Sequence, residues 1–257
     1  MQHAISLLAV VPMRKEPSHR SEMVSQLLFG EFVKMGERKD DFVPVISLFD
    51  NYEGWVQINQ LTPIDAGEER QPAGYLTQFC GQVIVDGKSI TIPFGAPLYS
   101  LGATPVHFGN RRLHGTLSPD VVWPVEGKAF SPVNLQPVID LFLNSPYLWG
   151  GKSVFGTDCS GFVQQVFKLF GVKLLRDAYL QAEQGLLVED FDKTVFGDLL
   201  FFQNEKGRVM HVGILLFNNQ IVHASGRVRI DNLDKEGIIN HETGERTHRF
   251  HSIRRFF

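Results

Sequence analysis

The sequence predicts an α+β protein in which two small β-barrels are followed by a unit of mixed helix and strand. Three observations carry this expectation. Over the first 130 residues, apolar runs of four to eight residues alternate with Gly, Pro, Asn and Asp clusters, the pattern of short strands and tight turns. That rhythm occurs twice, with the polar, glycine-flanked stretch Gly67–Gly74 as the seam. From Val138 onward the texture changes to one strongly periodic helix followed by strands. The expected division is therefore 1–66 and 67–130 for the barrels and 131–257 for the mixed unit.

In chain order, Ile5–Val11, Met23–Leu28, Phe32–Met35, Phe42–Leu48 and Gly54–Ile58 read as strands, with turns at Pro17-Ser18, Phe29-Gly30 and Asp50-Asn51. The second block offers Gln82–Val85, Ser89–Ile92, Pro97–Tyr99 and Leu117–Val122, and Asp86-Gly87 is the dipeptide of a two-residue hairpin. Pro124–Pro137, with three prolines, reads as a linker. Thr157-Asp158 supplies a helix N-cap, and Phe162, Val163, Val166, Phe167 and Phe170 share one helical face until Gly171 ends it. Asp198–Gln203, Val209–Phe217, Ile221–Ala224 and Phe250–Phe257 read as strands.

With 43% hydrophobic and 21% charged residues, the 257-residue chain can bury a core and is neither disordered nor fibrous. Lys+Arg 25 against Asp+Glu 28 gives a net charge of -3, which lacks the basic footprint of a nucleic-acid binder. Two cysteines, Cys80 and Cys159, make neither a disulfide framework nor a four-thiolate zinc site, so reduced thiols are expected. The early apolar run Ala4–Val11 is too short to span a bilayer and no Lys or Arg precedes it. A cytoplasmic location is the expectation, although an exported protein whose leader has been removed would look the same.

The chemistry concentrates at Asp158-Cys159-Ser160-Gly161, which puts a thiol in the first turn of the strongest helix. Unpaired backbone N–H groups and the positive end of the macrodipole favour thiolate there. Packing is the ordinary role of a cysteine among apolar residues, but Cys159 precedes the apolar face, Gly161 allows close backbone approach, and its neighbours are polar. A thiolate nucleophile needs a base within hydrogen-bond reach and a third group to orient that base. His211 and His223 qualify, on successive strands joined by a short turn at Asn218-Asn219. A two-residue loop would put them on opposite faces of the hairpin; a three-residue loop or a bulge puts them on one face, and is therefore expected. Zinc held by Cys159, His211 and His223 is chemically possible. His241, Glu242, His248 and His251 cluster near the C-terminus, with a spacing that fits neither His-Glu-x-x-His nor a compact zinc loop. No metal and no cofactor are expected, because the helix terminus already accounts for the thiolate, and neither a Gly-x-Ser-x-Gly elbow nor a phosphate-binding loop occurs.

Asp158-Cys159-Ser160-Gly161-Phe162-Val163, Gly197-Asp198-Leu199-Leu200-Phe201-Phe202, His211-Val212-Gly213-Ile214 and Ile221-Val222-His223-Ala224-Ser225-Gly226 follow in an order that resembles the NlpC-type cysteine peptidases of bacterial cell-wall peptides. Pro146-Tyr147-Leu148-Trp149-Gly150-Gly151 fits the segment that precedes the nucleophile in that family. The all-β half, with Gly54-Trp55-Val56 closing its first unit, is similar to the SH3-like modules that accompany such enzymes. The resemblance implies two SH3-like barrels before a papain-like catalytic domain. Within the family, the arrangement resembles the γ-D-glutamyl-L-diamino-acid endopeptidases, whose substrates are murein stem peptides beginning with a free L-Ala followed by γ-D-Glu.

Carried over by position, the resemblance makes Cys159 the nucleophile, His211 the general base and His223 the group that orients it. Tyr147 would hydrogen-bond near the scissile carbonyl or the nucleophile, Asp158 and Ser160 would contact substrate, and Glu22 and Tyr52 would grip its ammonium group. One departure stands out: Arg176-Asp177-Ala178-Tyr179-Leu180-Gln181 carries Ala178 where the family has serine. The resemblance also leaves open a noncatalytic peptidoglycan-binding module and a related amidase or acyltransferase. It implies a murein-derived peptide as the partner and neither nucleic acid nor a membrane span.

Overall fold

The short apolar runs of the N-terminal half form antiparallel strands whose inward residues alternate with outward ones. The computed structural model describes residues 2–257 except Ala103, Thr116 and Leu117. The chain divides into two compact units, Met1–Lys128 with Trp149–Val154, and Ala129–Leu148 with Phe155–Phe257. It is mostly β-sheet with few helices.

In the first unit, Met23–Leu28, Val10–Arg14, Glu53–Gln57, Phe42–Ser47, Phe32–Met35, Gln2–Ile5 and Thr62–Ile64 lie side by side in one seven-stranded sheet. Val11, Met13, Leu27, Val33, Val43, Val45 and Val56 are packed together beneath it. The run Ile5–Val11 is not one strand. The chain bends at Ser6–Ala9, where the backbone N–H of Ser6 donates to Glu31 and that of Gly30 to Ser6, so Leu7 is buried while Leu8 is exposed. An apolar run long enough for a strand hides this bend, and its residues serve two cores, Ala4 and Val11 one, Ile5 and Leu7 the other.

Two smaller sheets follow, Lys88–Pro93, Cys80–Val85, Arg111–His114 and Val106–Phe108 in one, and Pro97–Leu98, Gly74–Leu76 and Val122–Pro124 in the other. Val85 and Lys88 pair across Asp86 and Gly87, both at positive φ, as a two-residue hairpin requires. Leu117, the start of the expected strand Leu117–Val122, lies outside the described residues; Pro119–Val121 is a 3-10 turn and the strand begins at Val122. Ile5, Leu7, Phe29 and Ile64 share one core with Leu76, Val83, Ile92 and Phe108, so apolar packing runs across the Gly67–Gly74 seam. Trp149–Val154 belongs to this unit through specific bonds. The backbone N–H of Lys152 donates to Gln26 Oε1 at 2.9 Å, and its buried ammonium meets Glu31 at 2.8 Å. At Gly150 (φ +75°) a Cβ would stand 2.3 Å from the Met23 carbonyl oxygen, so only glycine fits.

The second unit begins with a helix where the prolines suggested a linker. Helix α1 spans Pro132–Phe142, with Ser131 accepting from the Asn134 N–H as N-cap and Pro132 at N1, where its missing N–H costs nothing. Pro137 is tolerated because Leu135, Val138, Ile139 and Phe142 bury the helix face around it. Helix α2, Cys159–Leu169, follows as predicted, but it is buried all round rather than on one stripe; Gln164, Gln165 and Lys168 are buried with the phenylalanines. Helix α3 is the short turn Ala178–Gln181.

Six strands then close into a ring: Arg246–Arg255, Leu199–Gln203, Val209–Leu215, Gln220–Ser225, Arg227–Asp234 and Gly237–Ile239, which pairs back to Arg246–Arg255. The closed six-stranded barrel is therefore in this unit. Closure brings the last strand of the chain, predicted only from Phe250, to strands it adjoins in no sequence pattern. Helix α2 packs against Val209–Leu215 and Gln220–Ser225, the two strands that carry the paired histidines. Among the described residues no helix is long and apolar enough to cross a membrane.

Candidate active site

Asp158 caps α2, its Oδ1 accepting from the Gly161 N–H at 2.7 Å, which fixes Cys159 as the first helical residue. The same carboxylate takes two bonds from the buried guanidinium of Arg176, at 3.0 and 2.6 Å, while Ser160 Oγ accepts from Arg176 and donates to Asp158. Backbone N–H groups of Val212 and Ser160 are directed at the Cys159 sulfur. They and the helix terminus favour thiolate, but burial and the adjoining Asp158 carboxylate outweigh them and push the thiol up to about 12. The expectation of a resting thiolate is corrected accordingly: the thiol is neutral at rest and needs a base at the moment of attack.

The histidine hairpin has the register that the pairing demands. Gly213 pairs with His223, Ile214 with Val222 and Leu215 with Ile221, leaving the three-residue loop Phe217–Asn219, in which Asn218 and Asn219 take positive φ. His211, two residues from Gly213, thus shares a face with His223, and its Nε2 lies 2.8 Å from His223 Nδ1 with the rings nearly perpendicular. Gly213 sits on that face between them. A Cβ there would come within 2.7 Å of Ile221 and 3.0 Å of the His223 Cβ, so the glycine of the His-Val-Gly segment keeps the path between the rings open. Burial, then the neighbouring His248 and His223, hold His211 well below the usual imidazole value. Burial also lowers His223, against the opposing pull of Asp231. Both rings are neutral at pH 7, so His211 is able to accept a proton.

The structure adds two groups to this site, Asp231, which the sequence reading missed, and His248, which it left in the C-terminal cluster. Asp231 is buried and lies 2.9 Å from His223 Nε2, with Arg229 Nε donating to Asp231 Oδ2 at 2.9 Å and the His241 backbone N–H to Oδ1 at 3.0 Å. Its only sequence signal is an Arg and an Asp two apart within the strand Arg227–Asp234, on the face that His223 shares through its pairing with Arg229. His248, from the closing strand, stacks on His211 with centroids 4.1 Å apart and 26° between planes. The rest of the C-terminal cluster, His241, Glu242 and His251, is exposed. One nitrogen from each of His211, His223 and His248 falls within 4.8 Å of the others, but stacked rings aim their nitrogen lone pairs along near-parallel planes rather than at a shared point.

This cluster makes stability depend on pH. Burial holds His248 down to about 4, and His211 and His223 are lowered too, so between pH 6.5 and 4 the unfolded chain binds protons that the folded chain refuses. Stability is full above the unfolded value and is lost as pH falls toward 4. For His248 alone the loss is of order 2–3 kcal/mol. Urea midpoints should therefore drop between pH 7 and pH 4, with a shallower drop for His248→Gln; midpoints that stay flat would contradict the buried, neutral cluster.

The other residues singled out from sequence fall as follows. Tyr147 is partly exposed and close enough to Cys159 and Asp158 for burial and their charges to raise its hydroxyl, which therefore stays a neutral donor. Asp158 and Ser160, expected to meet substrate, direct their side chains to Arg176 and to each other. Glu22 and Tyr52 belong to the first unit. There Glu22 Oε1 accepts from Trp149 Nε1 at 2.7 Å, and Tyr52 packs against the core of the seven-stranded sheet.

A family model described as NlpC/P60 matches residues 144–247, and one described as the bacterial dipeptidyl-peptidase SH3 domain matches residues 13–61. The chain is 33% identical over 216 residues to the Gamma-D-glutamyl-L-lysine dipeptidyl-peptidase of Bacillus subtilis, covering 78% of this chain and 71% of that one. The chain belongs to the NlpC/P60 family. A Bacillus cereus relative of the same name is 27% identical over 265 residues, covering 89% of this chain and 76% of its own length. The crystal structure of an NlpC/P60 family protein from Bacillus cereus shares the fold, with a TM-score of 0.82 at 21% identity over 99% of both chains. This NlpC/P60 protein is a cysteine peptidase with an N-terminal bacterial SH3 domain. Its departure at Ala178 lies at the first position of α3, directly after Arg176 and Asp177.

Proposed function

We propose that this peptidase hydrolyses the amide between γ-D-Glu and the diamino acid in peptidoglycan stem peptides that begin with free L-Ala, as in the recycling of cell-wall peptides. One observation supports the substrate above the others. The similarity to the relatives named Gamma-D-glutamyl-L-lysine dipeptidyl-peptidase runs over 216 and 265 residues, well beyond the peptidase segment 144–247 and into the N-terminal unit. An enzyme that removes dipeptides must measure two residues from a free amine, which a peptidase cleft alone does not do. In this reading the sheets between Gly74 and Pro124 form a second SH3-like module beside the first.

In the proposed mechanism Cys159 is the nucleophile, His211 the base and His223 its orienter. The thiol proton passes to His211 as the sulfur attacks the amide carbonyl, since a thiol raised to about 12 is not ionised beforehand. Backbone N–H groups at the α2 terminus and the Tyr147 hydroxyl are the donors available to the developing oxyanion. Collapse breaks the C–N bond, His211 returns its proton to the departing amine, and a thioester to Cys159 remains. Water, giving a proton to the same imidazole, then releases the dipeptide acid and restores the thiol.

The test compares free and N-acetylated L-Ala-γ-D-Glu-L-Lys. A charge-assisted bond to the ammonium is lost on acetylation, lowering kcat/KM by roughly 10- to 100-fold. Glu22→Gln keeps an oxygen able to accept from Trp149 and removes only the charge, so a narrower ratio in that variant assigns the ammonium to Glu22. Equal rates for the two peptides on the wild type would contradict the free-amine requirement.

A further inference from the structure

We infer that Asp231 is a fourth, positioning member of this site, which through two successive imidazoles makes Nδ1 of His211 the basic nitrogen; the inference rests on His211 being the base. The argument is a count of protons. The Asp231 carboxylate is held ionised: burial alone would raise it, but bonds from His223, the His241 backbone and Arg229 outweigh burial. An ionised carboxylate only accepts, so the 2.9 Å contact to His223 Nε2 requires the proton on that nitrogen. His223 is neutral, so its Nδ1 carries a lone pair. That lone pair faces His211 Nε2 at 2.8 Å, and two nitrogens at this distance need one hydrogen between them, so His211 Nε2 is the donor. A neutral His211 with its proton on Nε2 has its base at Nδ1.

Among the described residues, the groups that surround the pair support this order. His223 is 0% and Asp231 1% exposed, so bulk water does not compete for either. Arg229 Nε and the His241 backbone N–H both donate to the carboxylate and hold its Oδ2 toward His223. His248 touches the imidazoles through ring faces and edges, and its Nδ1 is engaged by Thr247 Oγ1 at 2.8 Å. When His211 accepts the thiol proton it becomes a cation whose Nε2–H still points at the His223 lone pair, and Asp231 keeps that lone pair in place. Asp231 takes up no proton in the cycle.

Two measurements test this. In the substrate-free wild-type enzyme labelled with 15N in its imidazoles, nitrogen spectra near neutral pH should show protons on Nε2 of both His211 and His223. A proton on Nδ1 of either ring overturns the inference, and this result is independent of which peptide the enzyme cleaves. In kinetics, Asp231→Ala should lower kcat by roughly tenfold or more, up to the loss seen for His223→Ala, with KM within about twofold, and should cost little further when His223 is already Ala, because Asp231 acts only through that ring. A purely structural carboxylate would instead subtract the same factor in both backgrounds, and that additivity overturns the inference even where the folded yield of the single variant is low.

Discussion

Cys159→Ala should abolish turnover, a loss of roughly ten-thousandfold to a millionfold in kcat, because without the sulfur no thioester forms and the remaining groups only bind and polarise the amide. The fold should be nearly untouched. Cys159 contributes one small side chain to the helix start, whereas the cap comes from Asp158 and the clamp from Arg176, neither of which the substitution alters. A melting temperature within a few degrees of wild type, measured beside the rate, separates lost chemistry from lost structure. Substantial residual hydrolysis in a folded Cys159→Ala enzyme would remove the cysteine from the mechanism.

The second large effect concerns the two histidines and their order. His211→Ala should lower kcat by roughly a thousandfold or more, since the thiol is pushed up to about 12 and the proposed mechanism assigns its proton to His211. His223→Ala should cost less, roughly ten- to a hundredfold, because a base remains, though without its partner at 2.8 Å to hold the ring. The comparison is of kcat in folded variants under saturating peptide. If His223→Ala is the more damaging, the roles of base and orienter are exchanged.

The site was legible in the sequence where its logic is local. A cap, a thiol and an apolar helical face sit close together in the chain, and the constraint that two strand histidines share a face was enough to require a three-residue loop or a bulge, of which Phe217–Asn219 forms the former. What the sequence hides is whatever the closed ring brings together. Asp231 and His248 reach the histidines because Arg227–Asp234 pairs with the histidine strand and Arg246–Arg255 closes the barrel, and neither placement follows from spacing along the chain. The charge state of the thiol was hidden for a similar reason. The helix dipole can be read from position, but its competitor is burial, and α2 turned out to be enclosed on every side, including the faces that carry Gln164, Gln165 and Lys168. Prolines misled in the opposite direction: Ser131-Pro132 opens α1 as cap and first residue, where three prolines in one stretch looked like a linker.

The most direct test of the central claim is to incubate the enzyme with L-Ala-γ-D-Glu-L-Lys and identify the products by mass spectrometry, running wild type with and without EDTA beside Cys159→Ala. The account predicts L-Ala-γ-D-Glu and free lysine from the wild type, in equal amount with and without the chelator, and intact peptide from Cys159→Ala. Cleavage at a different bond, loss of activity with EDTA that zinc restores, or the same dipeptide released by the alanine variant would contradict it.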